Sequence, residues 1–179
     1  LFFLHTFSQT LRKMKTQTAN ILTLLSLSLG GSSILAAMEN EIYTGMLLIF
    51  LAALCDRLDG AAARRLHIVS DFGKQLDSLS DIISFGLAPA LLLYQGILHE
   101  LGAVGGFCVI LYAGCGALRL ARFNISGCTA FFTGLPITAA GCAAALSCLA
   151  IPYGPPVIFM ILLSLLSILM ISPLKVKKI

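Results

Sequence analysis

Six apolar runs dominate the sequence, at roughly residues 20–37, 43–64, 74–95, 101–120, 134–151 and 155–171. About 20 helical residues, rising 1.5 Å each, cross the hydrocarbon of a bilayer, so each run is close to the length of one crossing. Of the 179 residues, 58% are hydrophobic and only 11% charged, whereas a soluble domain of this size carries about 25% charged residues. The expectation is an all-α integral membrane protein, one bundle of six transmembrane helices. Gly30, Gly31, Ser32 and Ser33 in the first run, and Gly102, Gly106, Gly114 and Gly116 in the fourth, would let helix backbones approach one another in lipid.

Residues 1–19 open with LFFLHTF and continue as a polar stretch with Arg12, Lys13 and Lys15. They are expected to form a juxtamembrane amphipathic segment lying in the interface, its bases near lipid phosphates, with a disordered lead-in as the competing reading. Residues 20–179 then make the transmembrane domain. The chain opens on Leu1 rather than Met, as a fragment or trimmed chain would. Six cysteines (55, 108, 115, 128, 142 and 148) form no CxxC pair, and most sit in apolar runs, where cysteine behaves as a small buried hydrophobe.

The polar residues sort by connection. All twelve Lys and Arg fall in the N-terminal segment, in or beside the second-to-third connection, around the fourth-to-fifth connection or at the C-terminus. Six crossings put those four regions on one side, which the positive-inside rule makes cytoplasmic. The opposite connections carry Glu39, Glu41 and Glu100 and no Lys or Arg. No duplicated half is visible, so the inverted-repeat pattern of transporters is not supported.

Four carboxylates break the apolar pattern: Asp56, Asp59, Asp77 and Asp81. The second run offers only Tyr43 to Cys55 before Asp56, so a helix long enough to cross must run on through DRLDGAAAR. The carboxylates then lie within the membrane at its cytoplasmic edge, where ionisable residues are costly and mark function. Asp56 and Asp59 are three apart and Asp77 and Asp81 four apart, so each pair shares a helix face. Positions 56 and 81, like 59 and 77, are centred near residue 68, so antiparallel neighbours would set each pair at matching depth.

Converging negative charges repel unless neutralised, and oxygen-only ligands suit Mg²⁺ or Mn²⁺. Two such ions held by bridging carboxylates would bind and polarise a phosphate. Gly60 and Ala63 leave room for a ligand to approach the backbone, Gly73 clears the facing helix, and Arg64 is placed to pair with a phosphate or an aspartate. A divalent-cation transporter is the rival from another class. It would need carboxylates near the midplane, and none occurs near the centre of any run.

Asp56-x-x-Asp59-Gly60-x-x-Ala63-Arg64, eight residues, then Gly73-x-x-x-Asp77-x-x-x-Asp81 resembles the complete signature of the CDP-alcohol phosphatidyltransferase family. The resemblance runs from about residue 18 to 140. It implies a six-span enzyme that moves a substituted phosphate from a CDP-linked donor to a hydroxyl, releasing CMP. It also implies that Asp56, Asp59 and Asp77 bind the metals, with Asp81 completing the site and acting as base, and that Gly60, Ala63, Arg64 and Gly73 line the CDP site. One departure is Ala19 before Asn20, where relatives often have Pro.

The flanking segments LDSLSDIISFGLAPALLLY (76–94), GALRLARFN (116–124) and FTGLP (132–136) are similar to the branch that joins CDP-diacylglycerol and L-serine into phosphatidylserine. The phosphatidylglycerophosphate branch typically has LDPxADK where this chain has LDSLSDI. Another acceptor, glycerol phosphate or inositol phosphate, is the runner-up within the family. Arg119, Arg122 and Asn124 are expected near the acceptor or a phosphate, a guanidinium being suited to the serine carboxylate, with positive-inside anchoring as the plainer role for the arginines. Membrane lipids and a second copy in a homodimer are the expected partners, and no nucleic acid.

Overall fold

The structure, a computed structural model, describes the backbone of residues 2–65, 71–126, 131–172 and 175–177. It describes the side chains of residues 20–58, 60–61, 71–125 and 134–172. Helix α1 (Phe2–Met38) runs without a break for 37 residues. The stretch expected as a separate juxtamembrane segment is therefore helical and continuous with the first crossing, Asn20–Met38.

The turn after α1 has a local cause. Asn40 adopts a left-handed φ of 62°, which asparagine tolerates better than most residues. The Glu41 N–H closes onto the Ala36 carbonyl at 2.9 Å, and α2 (Ile42–Arg65) runs back against α1. Ser33 Oγ donates to the Gly45 carbonyl at 2.8 Å and Ser26 Oγ to the Ala52 carbonyl at 3.1 Å. From one bond to the other α1 steps back by seven residues and α2 forward by seven, about two turns each, which makes the pair antiparallel. Hydroxyl-to-carbonyl bonds between closely approaching helices are how a bundle coheres where the hydrophobic effect gives little.

The third segment, Asp71–Gly96, is one 26-residue helical run in three parts. Helix α3 (Asp71–Asp81) passes through a π-helical stretch, Ile82–Leu87, into α4 (Ala88–Gly96). Pro89 explains part of this irregularity: it has no N–H for the carbonyl four residues back, that of Phe85. The buried Tyr112 hydroxyl donates to that carbonyl at 3.2 Å. Ser80 Oγ donates to the Thr23 carbonyl at 3.3 Å and Ser84 Oγ to the Ser26 carbonyl at 3.1 Å, fixing this segment to α1. Gly30 makes the contact possible, because a Cβ there would lie 2.6 Å from Ser84 Cα.

A 3₁₀ turn (Leu98–Leu101) leads to α5 (Ala103–Ser126). Helix α6 (Ile137–Ser147), its 3₁₀ continuation Cys148–Tyr153, and α7 (Pro156–Ile171) complete the chain's apolar segments. Ile49, Phe85, Leu92, Leu93, Tyr112 and Leu163 are fully buried, while Leu47, Phe107, Ile110 and Ile168 point outward. Apolar side chains on both the inside and the outside suit a bundle surrounded by lipid.

The six helical segments correspond to the six apolar runs. Asn20–Met38, Asp71–Gly96 and Ala103–Ile125 are each long and apolar enough to cross a membrane. Helix α2 carries the charged cluster in its last turns, and the last two apolar segments are shorter. One feature was not expected: β1 (Phe131–Thr133) pairs antiparallel with β2 (Lys175–Lys177), tying the connection before α6 to the tail after α7. Cys108 and Cys148 are buried, Cys55, Cys115 and Cys142 half-buried, and all five are unpaired. Cys128 lies outside the described residues.

Candidate active site at the basic end of the bundle

Helices α2, α3 and α5 and the start of α6 enclose a cleft of about 270 Å³. Helix α2 contributes Asp56, Arg57 and Gly60, and α3 contributes Lys74, Asp77, Ser78 and Asp81. Arg119, Leu120, Phe123 and Asn124 come from α5, and Pro136, Ile137 and Thr138 close the far side. The spacing of the sequence produces this directly: 77, 78 and 81 fall within about one turn of one helix face.

Asp56, Asp77 and Asp81, all half-buried, each offer a carboxylate oxygen, and these atoms lie within 4.8 Å of one another. The carboxylates of Asp56 and Asp81, on different helices, stand close enough to interact directly, as antiparallel pairing at matching depth predicts. Three carboxylates so close repel one another by several kcal/mol at the effective dielectric of a partly buried site. Arg57 acts electrostatically on Asp56, and Arg119 on Asp81. An all-oxygen set of this kind fits a hard divalent cation such as Mg²⁺ or Mn²⁺.

Around the carboxylates runs a polar network between α3 and α5. Lys74 Nζ donates to the Asn124 carbonyl at 3.4 Å and stands 6.0 Å from the centre of the Phe123 ring. Ser78 Oγ donates to the Lys74 carbonyl at 3.0 Å, and Asn124 Nδ2 donates to Ser78 Oγ at 3.0 Å. Among the described side chains, two buried polar atoms in the cleft have no partner: Arg119 Nε and Asn124 Oδ1. Leaving such a group unpaired costs about 1–3 kcal/mol, so each calls for an explanation.

The residues expected from the sequence divide as follows. Asp56, Asp77, Asp81, Gly60, Arg119 and Asn124 meet at the cleft. Gly73 lies in the first turn of α3, outside the lining. Arg122 is exposed and also outside it, so the two arginines, three apart, have different surroundings. The side chains of Asp59, Ala63 and Arg64 lie outside the described residues. Ser78, Lys74 and Phe123 were not anticipated. The signal for Ser78 was present, since it follows Asp77 and precedes Asp81 by three on the same helix.

These features define an α-helical membrane protein with a cluster of carboxylates set into a cleft at one end of its bundle. The profile of the CDP-alcohol phosphatidyltransferase family matches residues 16–172, and the chain belongs to that family. It is 40% identical over 141 residues to the CDP-diacylglycerol–serine O-phosphatidyltransferase of Bacillus subtilis, covering 76% of each chain. It is 44% identical over 131 residues to the enzyme of the same name from Methanocaldococcus jannaschii, covering 73% of this chain and 62% of that one. It is also 41% identical over 126 residues to the archaetidylserine synthase of Methanothermobacter thermautotrophicus, covering 68% of this chain and 53% of the relative.

Proposed function

We propose that this chain transfers the phosphatidyl group of CDP-diacylglycerol to the hydroxyl of L-serine, giving phosphatidylserine and CMP in phospholipid synthesis. The observation that carries the reading is the convergence of Asp56, Asp77 and Asp81 with Arg119 in one cleft. The serine-acting names of the relatives support the choice of acceptor.

Asp56, Asp77 and Asp81, joined by Asp59 on the same helix as Asp56, would hold two Mg²⁺ or Mn²⁺ ions. Bound there, the ions would offset the charge of the diphosphate and polarise it. Gly60, with Ala63, Arg64 and Gly73 of the same two helices, would accommodate the CDP moiety, and Arg119 with Asn124 would face the acceptor or a phosphate, whereas Arg122, the other arginine expected there, is exposed outside the cleft. Asp81 takes the proton of the serine hydroxyl as its oxygen bonds to the lipid-side phosphorus. The phosphorus–oxygen bond to CMP breaks, CMP leaves with the electron pair, and the proton passes on to water.

A second cavity of about 290 Å³, lined by Phe50, Ala53, Leu54, Ala139 and Cys142, shares Arg57 and Thr138 with the first. An apolar space adjoining the polar cleft suits a lipid chain that stays in the membrane while the head group reacts. The collection of bases at the cleft supports a cytoplasmic active site, with both termini on that side. A homodimer fits Gly106 and Gly114 of α5, where an added Cβ would meet nothing within 4 Å, leaving surfaces for close helix approach.

The purified protein incubated with CDP-diacylglycerol, Mn²⁺ or Mg²⁺, and L-serine, glycerol 3-phosphate or inositol phosphate tests the reading. CMP release is expected with L-serine and a divalent ion, and is expected to stop on chelation. Release with a phosphorylated polyol but not with serine would refute the acceptor.

A further inference from the structure

Resting on the serine-accepting reading, we propose that Asn124, fixed in orientation by Ser78, receives the ammonium group of an α-amino-acid acceptor whose carboxylate pairs with Arg119. A hydroxyl has a single hydrogen, and that of Ser78 goes to the Lys74 carbonyl at 3.0 Å. Towards Asn124 the Ser78 oxygen can therefore only accept. It takes the amide N–H of Asn124 at 3.0 Å. The two ends of the amide are thereby told apart: Nδ2 faces Ser78, and Oδ1 is the atom left without a partner.

The two unpartnered atoms are of opposite kinds. Arg119 Nε is a donor and Asn124 Oδ1 an acceptor, both on α5 and both at the same cleft. Among the described side chains they are the buried polar atoms that lack a hydrogen bond. A carboxylate satisfies the first and an ammonium the second, and an α-amino acid carries both on one carbon. A polyol phosphate offers an anion to Arg119 and only neutral hydroxyl donors, not a cation, to Asn124.

The cleft lining also carries Lys74 beside Arg57 and Arg119. Lys74 is turned to the Asn124 carbonyl and the Phe123 ring, so its ammonium is occupied at the end of α5.

Three compounds separate the contacts: L-serine, 3-hydroxypropionate, which lacks the ammonium, and ethanolamine, which lacks the carboxylate. Each is measured as acceptor or as competitive inhibitor, with purified protein, CDP-diacylglycerol and Mn²⁺. Asn124→Ala is expected to lower kcat/KM for L-serine about tenfold to a hundredfold, the range for a hydrogen bond to a charged group. It should leave 3-hydroxypropionate and the KM for CDP-diacylglycerol within about twofold, because neither uses Oδ1. Asn124→Asp, which keeps an acceptor oxygen, should retain the preference for L-serine over 3-hydroxypropionate. Ser78→Ala, which frees the amide to turn over, should weaken it about threefold to tenfold. Equal losses for L-serine and 3-hydroxypropionate in Asn124→Ala, or an undiminished preference in both Ala variants, would overturn the subsite while leaving the serine reaction standing. A wild-type protein that uses glycerol 3-phosphate and ignores serine would overturn both.

Discussion

The two ends of the bundle both carry charge, but they dispose of it differently. At one end Asp56, Asp77, Asp81, Arg57, Lys74 and Arg119 line a common cleft, and Arg119 Nε is buried without a partner. At the other, Glu39, Glu41, His99 and Glu100 are exposed, and the polar contacts there finish turns. Gln95 Nε2 donates to Asn40 Oδ1 at 2.9 Å, and Thr44 Oγ1 donates to a Glu41 carboxylate oxygen at 3.3 Å. Exposed carboxylates are solvated and cost little. Half-buried ones held within 4.8 Å of each other are not, and the elements that carry them are fixed in place: the Ser26 and Ser33 bonds tie α2 to α1, and the Ser80 and Ser84 bonds tie α3 and the π-helical stretch after it to α1. Inward convergence, more than charge itself, distinguishes a site from a membrane edge.

The contrast predicts its own largest effect. Asp81→Asn keeps size and polarity but removes the proposed proton acceptor, so CMP release should fall about 10²–10⁴-fold. CDP-diacylglycerol binding, measured by equilibrium retention of radiolabelled donor, should change little. Robust turnover in that variant would place the base elsewhere and reduce the difference between the two ends to one of metal binding.

The aspartates were legible in the sequence because lipid makes charge conspicuous, and a short apolar lead-in forced Asp56 into the helix. The six segments were legible for the same reason, length and hydropathy being close to a direct reading of bilayer thickness. Other features left no such trace. The π-helical stretch depends on what Pro89 withholds from Phe85 and what Tyr112, 27 residues away, supplies. The β1–β2 pairing rests on three residues a side, too few to show alternation. Arg119 lines the cleft and interacts with Asp81 while Arg122, three residues on, is exposed outside it, a difference that spacing along one helix does not reveal.

The stretch between the two ends offers a middle-sized test. Tyr112→Phe leaves the Phe85 carbonyl without the hydroxyl that reaches it, at a cost of about 1–3 kcal/mol. The midpoint of thermal unfolding in detergent should drop by several degrees. Because Phe85 lies one turn beyond Asp81, turnover should fall about threefold to tenfold, with no change in preference among acceptors. A lowered midpoint with full activity would show that the cleft is positioned by its contacts with α1 alone.

The smallest effect is expected at the acidic end. Glu41→Gln removes a charge whose visible contact is an exposed 3.3 Å bond from Thr44, and glutamine can still accept it. Glu100→Gln alters an exposed side chain in a 3₁₀ turn held by backbone bonds, such as Gly102 N–H to the His99 carbonyl at 3.0 Å. Each change should shift stability by no more than about 0.5 kcal/mol and leave CMP release within twofold. These variants keep the positive-inside pattern intact, since that pattern counts Lys and Arg far more than Glu. Introducing lysine at both positions is a harsher probe of the same end, because it adds positive charge to the side that has none in its connections. Loss of correctly oriented protein in the double lysine variant, with both glutamine variants unaffected, would show that the acidic end matters for what it excludes.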